Sequence, residues 1–227
     1  MTRKEYEIIE THMLSLMTDS AHDKFHVYRV LYAAVDIAKH EKNVDIDVML
    51  AACLLHDIGR EAQYRDDTLC HAKVGSEMAY DFLLSTGWNG EKAAHVRECI
   101  SSHRYRGDNP PVSLEAKILF DADKLDAAGA MGIARTLVYN GITNAPIYVL
   151  DDGGNVLTEA NDDDITPFMQ EYNYKLKKVY SSFHTDRAKT IAATRQKTAE
   201  SFYNNLYSEV ADNYETGVNG LNELLGE

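Results

Sequence analysis

Apolar residues recur at steps of three and four along most of this chain, which is the spacing of one face of an α-helix. Near the N-terminus the run is Tyr6, Ile9, Met13 and Met17. The same spacing predicts helices over residues 23–38, 47–57, 71–85, 89–103, from 113 onward, 167–183 and 187–210, with a short final helix in 212–227. The pattern therefore predicts an all-α fold, built as a single-domain helical bundle.

Cap and turn residues support several of these boundaries. Asp23 and Ser113 precede predicted helices and have side-chain oxygens that can accept from free backbone N–H groups. Gly59 follows the third helix and is predicted to end it in the left-handed conformation. The Ala/Gly-rich run 127–134 indicates close helix packing or a break at its glycines.

The composition changes between Gly141 and Asp164, a stretch that contains a proline, a Gly-Gly turn signal and an acidic run. Residues 147–150 and 156–157 could pair as a small hairpin across that turn. A mobile surface loop, acting as a lid or an insertion, is the alternative. The predicted organisation is one domain with a core over about 20–139, an insertion over 141–164 and C-terminal helices over 167–210.

The charge balance narrows the classes of partner. The formal net charge of −13 disfavours duplex nucleic acid and anionic membranes. We expect a soluble, unprocessed chain, since no apolar stretch approaches the roughly 20 residues that cross a bilayer. Three cysteines without a metal-type spacing suit free thiols in a reducing cytoplasm. An anionic substrate would need a locally positive pocket, which a divalent cation can provide.

Candidate chemistry begins with the adjacent His56 and Asp57, at the end of the apolar run 48–55. An imidazole and a carboxylate at that point can hold one metal ion, and antiparallel helix packing would bring His26 to face them. Asp123 lies among other acids in a predicted helix, a crowding that a cation would relieve. Two imidazoles and two carboxylates suit six-coordinate Mn²⁺, Fe²⁺, Co²⁺, Ni²⁺ or Mg²⁺. Each residue alone also fits an ordinary helix surface, so the hypothesis depends on convergence.

Basic and histidine residues flank these candidates, namely Arg60, Lys124, Arg104 and Arg106 together with His71 and His103. Arg and Lys side chains bind phosphate oxygens, so the four cations are candidate substrate ligands, with ordinary surface charge as the alternative. Arg60 and Lys124 are also candidate catalytic residues, as is Asp57. His71 and His103 lie at predicted helix ends, where they could transfer a proton or contact the leaving phosphate. A helix-end histidine without a catalytic role is the alternative.

The order His26, His56-Asp57, Asp123 resembles the His, His-Asp, Asp pattern of the HD-domain metal-dependent phosphohydrolases. The resemblance covers about residues 20–210. A bacterial subgroup of soluble HD hydrolases has similar sequence in the segments 26–30, 54–59, 71–75, 100–103, 121–127 and 132–135.

That resemblance implies an all-α fold and a divalent ion, foremost Mn²⁺, with metal-bound water attacking a phosphate ester or anhydride. It implies a phosphorylated small molecule as substrate, with a nucleoside triphosphate cleaved to the monophosphate and pyrophosphate. It also implies Asp123 rather than Asp121 as the ligand, because the family's metal Asp precedes the equivalent of Lys124-Leu125. Many relatives carry Lys shortly after the glycine of the His-Asp element, where this chain has Arg60-Glu61.

Alternatives remain within and outside this class of enzyme. A nucleoside monophosphate phosphatase or a cyclic-nucleotide or oligonucleotide phosphodiesterase would use the same ligands. A non-catalytic nucleotide sensor is a further alternative, since residues 141–164 could cover the site or dock a partner. A metal-free helical bundle is the last alternative, and assembly into a homo-oligomer is left open.

Overall fold

The computed structural model describes residues 1–17, 24–104, 109–159 and 166–226, and its regular structure is helical. The α-helices are α1 Arg3–Leu16, α2 Lys24–Ala38, α3 Ile46–Leu55, α4 Arg60–Arg65, α5 His71–Ser85, α6 Gly90–Ser102, α7 Leu114–Asp126, α8 Gly129–Ile142, α9 Phe168–Tyr174 and α10 Asp186–Leu225. A 3₁₀ helix spans Leu176–Ser181. The prediction of an all-α fold is confirmed.

The chain divides into two compact units, the first made of Met1–Asp126 with Phe183–Lys189 and the second of Ala127–Ser182 with Thr190–Glu227. The single-domain organisation, with its predicted core, insertion and C-terminal helices, stays a prediction. Among the described residues, none of the helices combines the length and apolar character that crossing a bilayer requires.

Helix α3 is the centre of the first unit. It contacts α1, α2, α5, α6 and α7, and seven of its ten residues are buried. The side chain of Asp45 caps its N-terminus by accepting from the N–H groups of Asp47 and Val48. A helix that is apolar on every side must be surrounded by other helices. Its C-terminal end, which carries His56 and Asp57, is therefore deep inside the unit.

Gly59 does not end α3 as predicted. Its backbone has φ −83° and ψ 0°, so the left-handed cap is wrong, and Gly59 is the N-cap of the short helix α4. The reason for a glycine is close packing. A Cβ at Gly59 would lie 2.3 Å from the carbonyl oxygen of His71 and 2.6 Å from the backbone nitrogen of Gly75. This contact holds the turn after α3 against the start of α5.

The second unit has a core of its own, built around the fully buried Phe168 and Met169. The residues 147–157 form a minimal hairpin, since Leu150 and Val156 make an isolated antiparallel bridge. A mobile loop is therefore the less suitable description of that part. Gly129 has φ +69° and starts α8, as expected for a break in the Ala/Gly-rich run.

Other boundaries differ from the prediction. The expected helix 167–183 is two shorter ones, because Lys175 has φ −123° and ψ −56°, outside helical geometry. The final helix α10 is continuous over 40 residues, so a separate short helix after Val210 is wrong. The predicted cap at Asp23, the acidic run Asp162–Asp164 and Arg106 lie outside the described residues.

We expect Gly59→Ala to lower the free energy of unfolding by at least about 1–3 kcal/mol, because backbone atoms, which cannot move aside like a flexible side chain, occupy the position of the new methyl group. Urea denaturation followed by circular dichroism measures this loss. Gly90→Ala is the matched control. Outside the adjacent residues and the backbone of its own helix, no atom lies within 4 Å of its Cβ position at the start of α6, so alanine there should stabilise by about 0.4–1 kcal/mol. Equal stability of the two variants would contradict the close-packing role of Gly59.

Candidate metal centre

Five helices of the first unit bring the candidate residues to one place. His26 is in the first turn of α2, His56 and Asp57 follow α3, His71 begins α5, His103 ends α6, and Asp123 is in α7. The four histidines and Asp57 are buried, with at most 1% of each residue exposed, and the side chain of Asp123 is 18% exposed.

One group of donor atoms is formed by His26, His56 and Asp123. The Nε2 atoms of His26 and His56 are 3.3 Å apart, and His26 Nε2 lies 3.5 Å from Asp123 Oδ1. Asp57 Oδ2 joins this group at 3.5 Å from His26 Nε2 and 3.7 Å from His56 Nε2. The structure thus brings together the four residues that were predicted as metal ligands.

A second group is formed by Asp57, His71 and His103. Asp57 Oδ1 lies 3.4 Å from His71 Nε2 and 3.7 Å from His103 Nε2. In each of the two groups the donor atoms of three residues lie within 4.8 Å of one another, a spacing that can hold a metal ion. Because its two oxygens face different groups, the Asp57 carboxylate connects them.

The tautomers of the histidines follow from their Nδ1 partners. His56 Nδ1 is 2.8 Å from the carbonyl oxygen of Cys53, and His103 Nδ1 is 2.6 Å from that of Ile100. A carbonyl oxygen only accepts, so both rings donate through Nδ1 and carry a lone pair on Nε2.

In His71 and His26 the acceptor beside Nδ1 is a side-chain oxygen, which likewise places the proton on Nδ1. His71 Nδ1 contacts Gln63 Oε1 at 2.6 Å, and His26 Nδ1 contacts Asp126 Oδ2 at 2.7 Å. Arg104 Nη1 also approaches His71 Nδ1, but at 3.5 Å, so the shorter Gln63 contact decides the tautomer. All four rings therefore donate through Nδ1 and direct Nε2 toward the Asp57 region.

Burial keeps the two central imidazoles uncharged. Burial lowers the pKa of His56 to about 4, and burial with the nearby Arg60 guanidinium lowers the pKa of His71 to about 2. Neutral imidazole is the form that ligates a metal.

The two carboxylates remain ionised despite their surroundings. Burial alone would raise the pKa of Asp57, but the nearby Arg60 guanidinium helps to hold it well below its usual range. Burial opposes ionisation of Asp123 too, and the Lys124 ammonium helps to hold its pKa well below the usual range.

The donor set fits a divalent cation. Asp57 Oδ2 and His71 Nε2 are buried atoms without a hydrogen-bond partner, and a buried carboxylate oxygen without a donor is costly. Imidazole nitrogens and carboxylate oxygens together suit first-row divalent metals.

Comparisons with known proteins agree with this geometry. The HD domain model matches residues 25–128. The uncharacterized protein YpgQ of Bacillus subtilis is 30% identical over 213 residues, which cover 91% of this chain and 94% of YpgQ. The chain belongs to the HD-domain family. It is a metal-dependent hydrolase of the HD superfamily, as the recognised pattern implied.

Several solved structures are similar over nearly the whole chain. A Lactobacillus plantarum protein is 25% identical with a TM-score of 0.73, covering 92% of this chain and 98% of its own. YpgQ in complex with ADP is 27% identical with a TM-score of 0.70, covering 91% and 95%. An HD-superfamily hydrolase of Bacillus thuringiensis is 28% identical with a TM-score of 0.68, covering 91% and 97%.

The candidate substrate cations of this HD protein lie beside the donor groups. Arg60 Nε donates to Asp57 Oδ1 at 3.0 Å, Lys124 Nζ donates to Asp123 Oδ2 at 3.1 Å, and Arg104 approaches His71. Their role in substrate binding stays a prediction, as does that of Arg106 outside the described residues.

The three acids of α7 have three different partners. Asp121 accepts from the backbone N–H of His184 at 2.9 Å and from the N–H and hydroxyl of Thr185 at 2.7 Å each. It is therefore directed to the segment before α10, whereas Asp123 is the acid beside the His26 Nε2 atom. This agrees with the choice of Asp123 over Asp121.

Three residues in contact with the site were missed by the sequence analysis, namely Asp126, Arg29 and Gln63. A signal existed for Asp126, because it lies three residues after Asp123, on the same side of a helix. Gln63 lies in α4, a helix that was not predicted from the sequence, so its contact with His71 was not expected.

We expect Asp121→Asn to lower the free energy of unfolding by about 1–3 kcal/mol, because an amide presents N–H groups to backbone N–H groups that need an acceptor. Chemical denaturation without added metal measures the loss. Asp123→Asn is the control on the same helix. Its described partner Lys124 is itself 23% exposed, so the loss should stay below about 1 kcal/mol. A larger loss for Asp123→Asn than for Asp121→Asn would reverse the two roles.

Proposed function

We propose that this protein is a divalent-metal-dependent phosphohydrolase acting on nucleotides, foremost by cleaving a nucleoside triphosphate into the monophosphate and pyrophosphate. The observation that carries the proposal is the meeting of four imidazole Nε2 atoms around the Asp57 carboxylate. The similar protein YpgQ was crystallised in complex with ADP, which supports a nucleotide as the class of substrate. A reducing cytoplasm as its location fits the free cysteines.

The ion would be held by His26, His56, Asp57 and Asp123, with Mn²⁺ foremost and Mg²⁺, Co²⁺, Ni²⁺ or Fe²⁺ as substitutes. When bound, such an ion lowers the pKa of a coordinated water and polarises a phosphoryl oxygen. The residues around it supply the remaining charge, orientation and proton transfer.

Charge neutrality explains why a polyphosphate substrate needs the ion. Asp57 is paired with Arg60, Asp123 is paired with Lys124, and the imidazoles of His56 and His71 are neutral. The net charge of these six groups is therefore close to zero without a cation and positive with one. Arg60 and Lys124 are 25% and 23% exposed, so their remaining N–H groups can reach a phosphate oxygen.

The cleavage forms a bond between the water oxygen and the α-phosphorus and breaks the bond from that phosphorus to the bridging oxygen. Pyrophosphate leaves with this oxygen, and the attacking water loses a proton. His71 and His103 can accept the proton, and Arg104 near His71 can bind the leaving phosphate. His71 and His103 could instead hold a second ion with Asp57. A measured content of one ion per chain would favour proton transfer and substrate contact as the roles of His71 and His103. A content of two ions would favour metal binding.

We expect the protein to bind stoichiometric Mn²⁺ and His56→Ala to lose it, because a central imidazole donor is removed. Elemental analysis after loading with Mn²⁺ and desalting gives the metal content. His40→Ala is the control, since His40 is exposed, and it should retain the metal. Circular dichroism checks that both variants are folded. Full metal content in folded His56→Ala would refute the ligand set.

We expect the Mn²⁺-loaded protein to convert a nucleoside triphosphate into monophosphate and pyrophosphate in equal amounts. Chromatography of the products from a panel of tri-, mono- and cyclic nucleotides distinguishes the alternatives. Release of orthophosphate from monophosphates, or opening of cyclic nucleotides, would assign one of the two related activities instead. Tight nucleotide binding without any product would identify a sensor.

A further inference from the structure

His26 is held from both sides by acids of one helix. Its Nε2 lies 3.5 Å from Asp123 Oδ1, and its Nδ1 lies 2.7 Å from Asp126 Oδ2. Residues three apart on a helix are neighbours on one face, so α7 reaches both nitrogens of the same ring. Asp126 is 4% exposed and has no place in the proposed donor groups.

Arg29 holds the Asp126 carboxylate in place. Its Nε donates to Asp126 Oδ1 at 2.6 Å and its Nη2 donates to Oδ2 at 3.0 Å. Such a two-point contact fixes the plane of the carboxylate and offsets its buried charge. Arg29 lies three residues after His26 on α2, so both partners of Asp126 come from one helix.

The other imidazoles are oriented differently. His56 and His103 donate to carbonyl oxygens three residues earlier in their own chain segments, Cys53 and Ile100. His71 contacts the neutral amide of Gln63. His26 has an ionised carboxylate at Nδ1, and that carboxylate belongs to a helix about one hundred positions away in sequence. A carboxylate at this position fixes the tautomer and increases the electron density that the ring offers to a metal.

We propose that Asp126, held by Arg29, is a positioning residue that keeps His26 in its Nδ1–H tautomer and so reserves Nε2 for the ion. This rests on the proposed function, because it assumes that His26 binds a cation. In Asp126→Asn the amide can turn its NH₂ group toward Nδ1, which favours the opposite tautomer and removes the Nε2 lone pair.

Titration calorimetry and NMR test the proposal together. We expect Asp126→Asn to weaken the affinity for Co²⁺ or Mn²⁺ about 10- to 100-fold. Two-bond ¹H–¹⁵N spectra of the metal-free protein should show the Nδ1–H tautomer of His26 in the wild type and a shift toward Nε2–H in the variant. The His26 signals are assigned by their loss in His26→Gln. Arg29→Gln, which leaves the carboxylate in place, should weaken metal affinity only a few-fold.

Asp121→Asn is the matched control, because it removes another buried carboxylate of α7 that contacts Thr185 rather than an imidazole. It should lower stability and leave the metal dissociation constant unchanged.

The outcomes separate the two levels of the proposal. Unchanged metal affinity in Asp126→Asn, with a wild type that binds the ion, overturns the role of Asp126 alone. An Nε2–H tautomer in the wild type also overturns it, whether or not Asp126→Asn folds. A wild type that binds no divalent ion overturns the proposed function and this inference together.

Discussion

The burial of the Asp57 carboxylate among four imidazole rings is the constraint on which the rest of the site depends. A buried anion is costly unless donors or cations surround it. Here Arg60 satisfies one oxygen, while the other has no hydrogen-bond partner. The Nδ1 protons of His56 and His103 point away to backbone carbonyl oxygens and so give this carboxylate no donor. The arrangement is therefore suited to a cation and unfavourable without one.

The position of α3 explains how this cluster is assembled. Because the helix is buried on nearly every side, the residues that follow it cannot reach solvent, and neighbouring helices contribute the other donors. The close approach of Gly59 to the first turns of α5 then sets the distance between Asp57 and His71. Packing of two backbones thus decides whether the second donor group exists at all.

Much of this could be predicted from the sequence. Periodicity identified most helices of the first unit, since one apolar face per helix is a local property of the chain. The four proposed metal ligands were selected by their order, and the structure places donor atoms of His56, Asp57 and Asp123 within 3.3–3.5 Å of His26 Nε2. The role of Gly59 could not be predicted and that of Asp126 was not, because each depends on a contact with a different helix. Lys175 likewise interrupts a periodic apolar pattern through backbone geometry that the pattern does not encode.

The sequence by itself determined the helical class, the apolar faces and a set of His and Asp residues that can serve as metal ligands. Only the tertiary structure decided which group each acid of α7 contacts. Asp121 contacts Thr185, Asp123 lies beside Nε2 of His26, and Asp126 lies beside Nδ1 of the same ring. The physical reason is that a carboxylate two positions along a helix points in a different direction, while one three positions along shares the same face. Its partner is whichever helix packs on that side, and that helix can lie a hundred residues away in the chain.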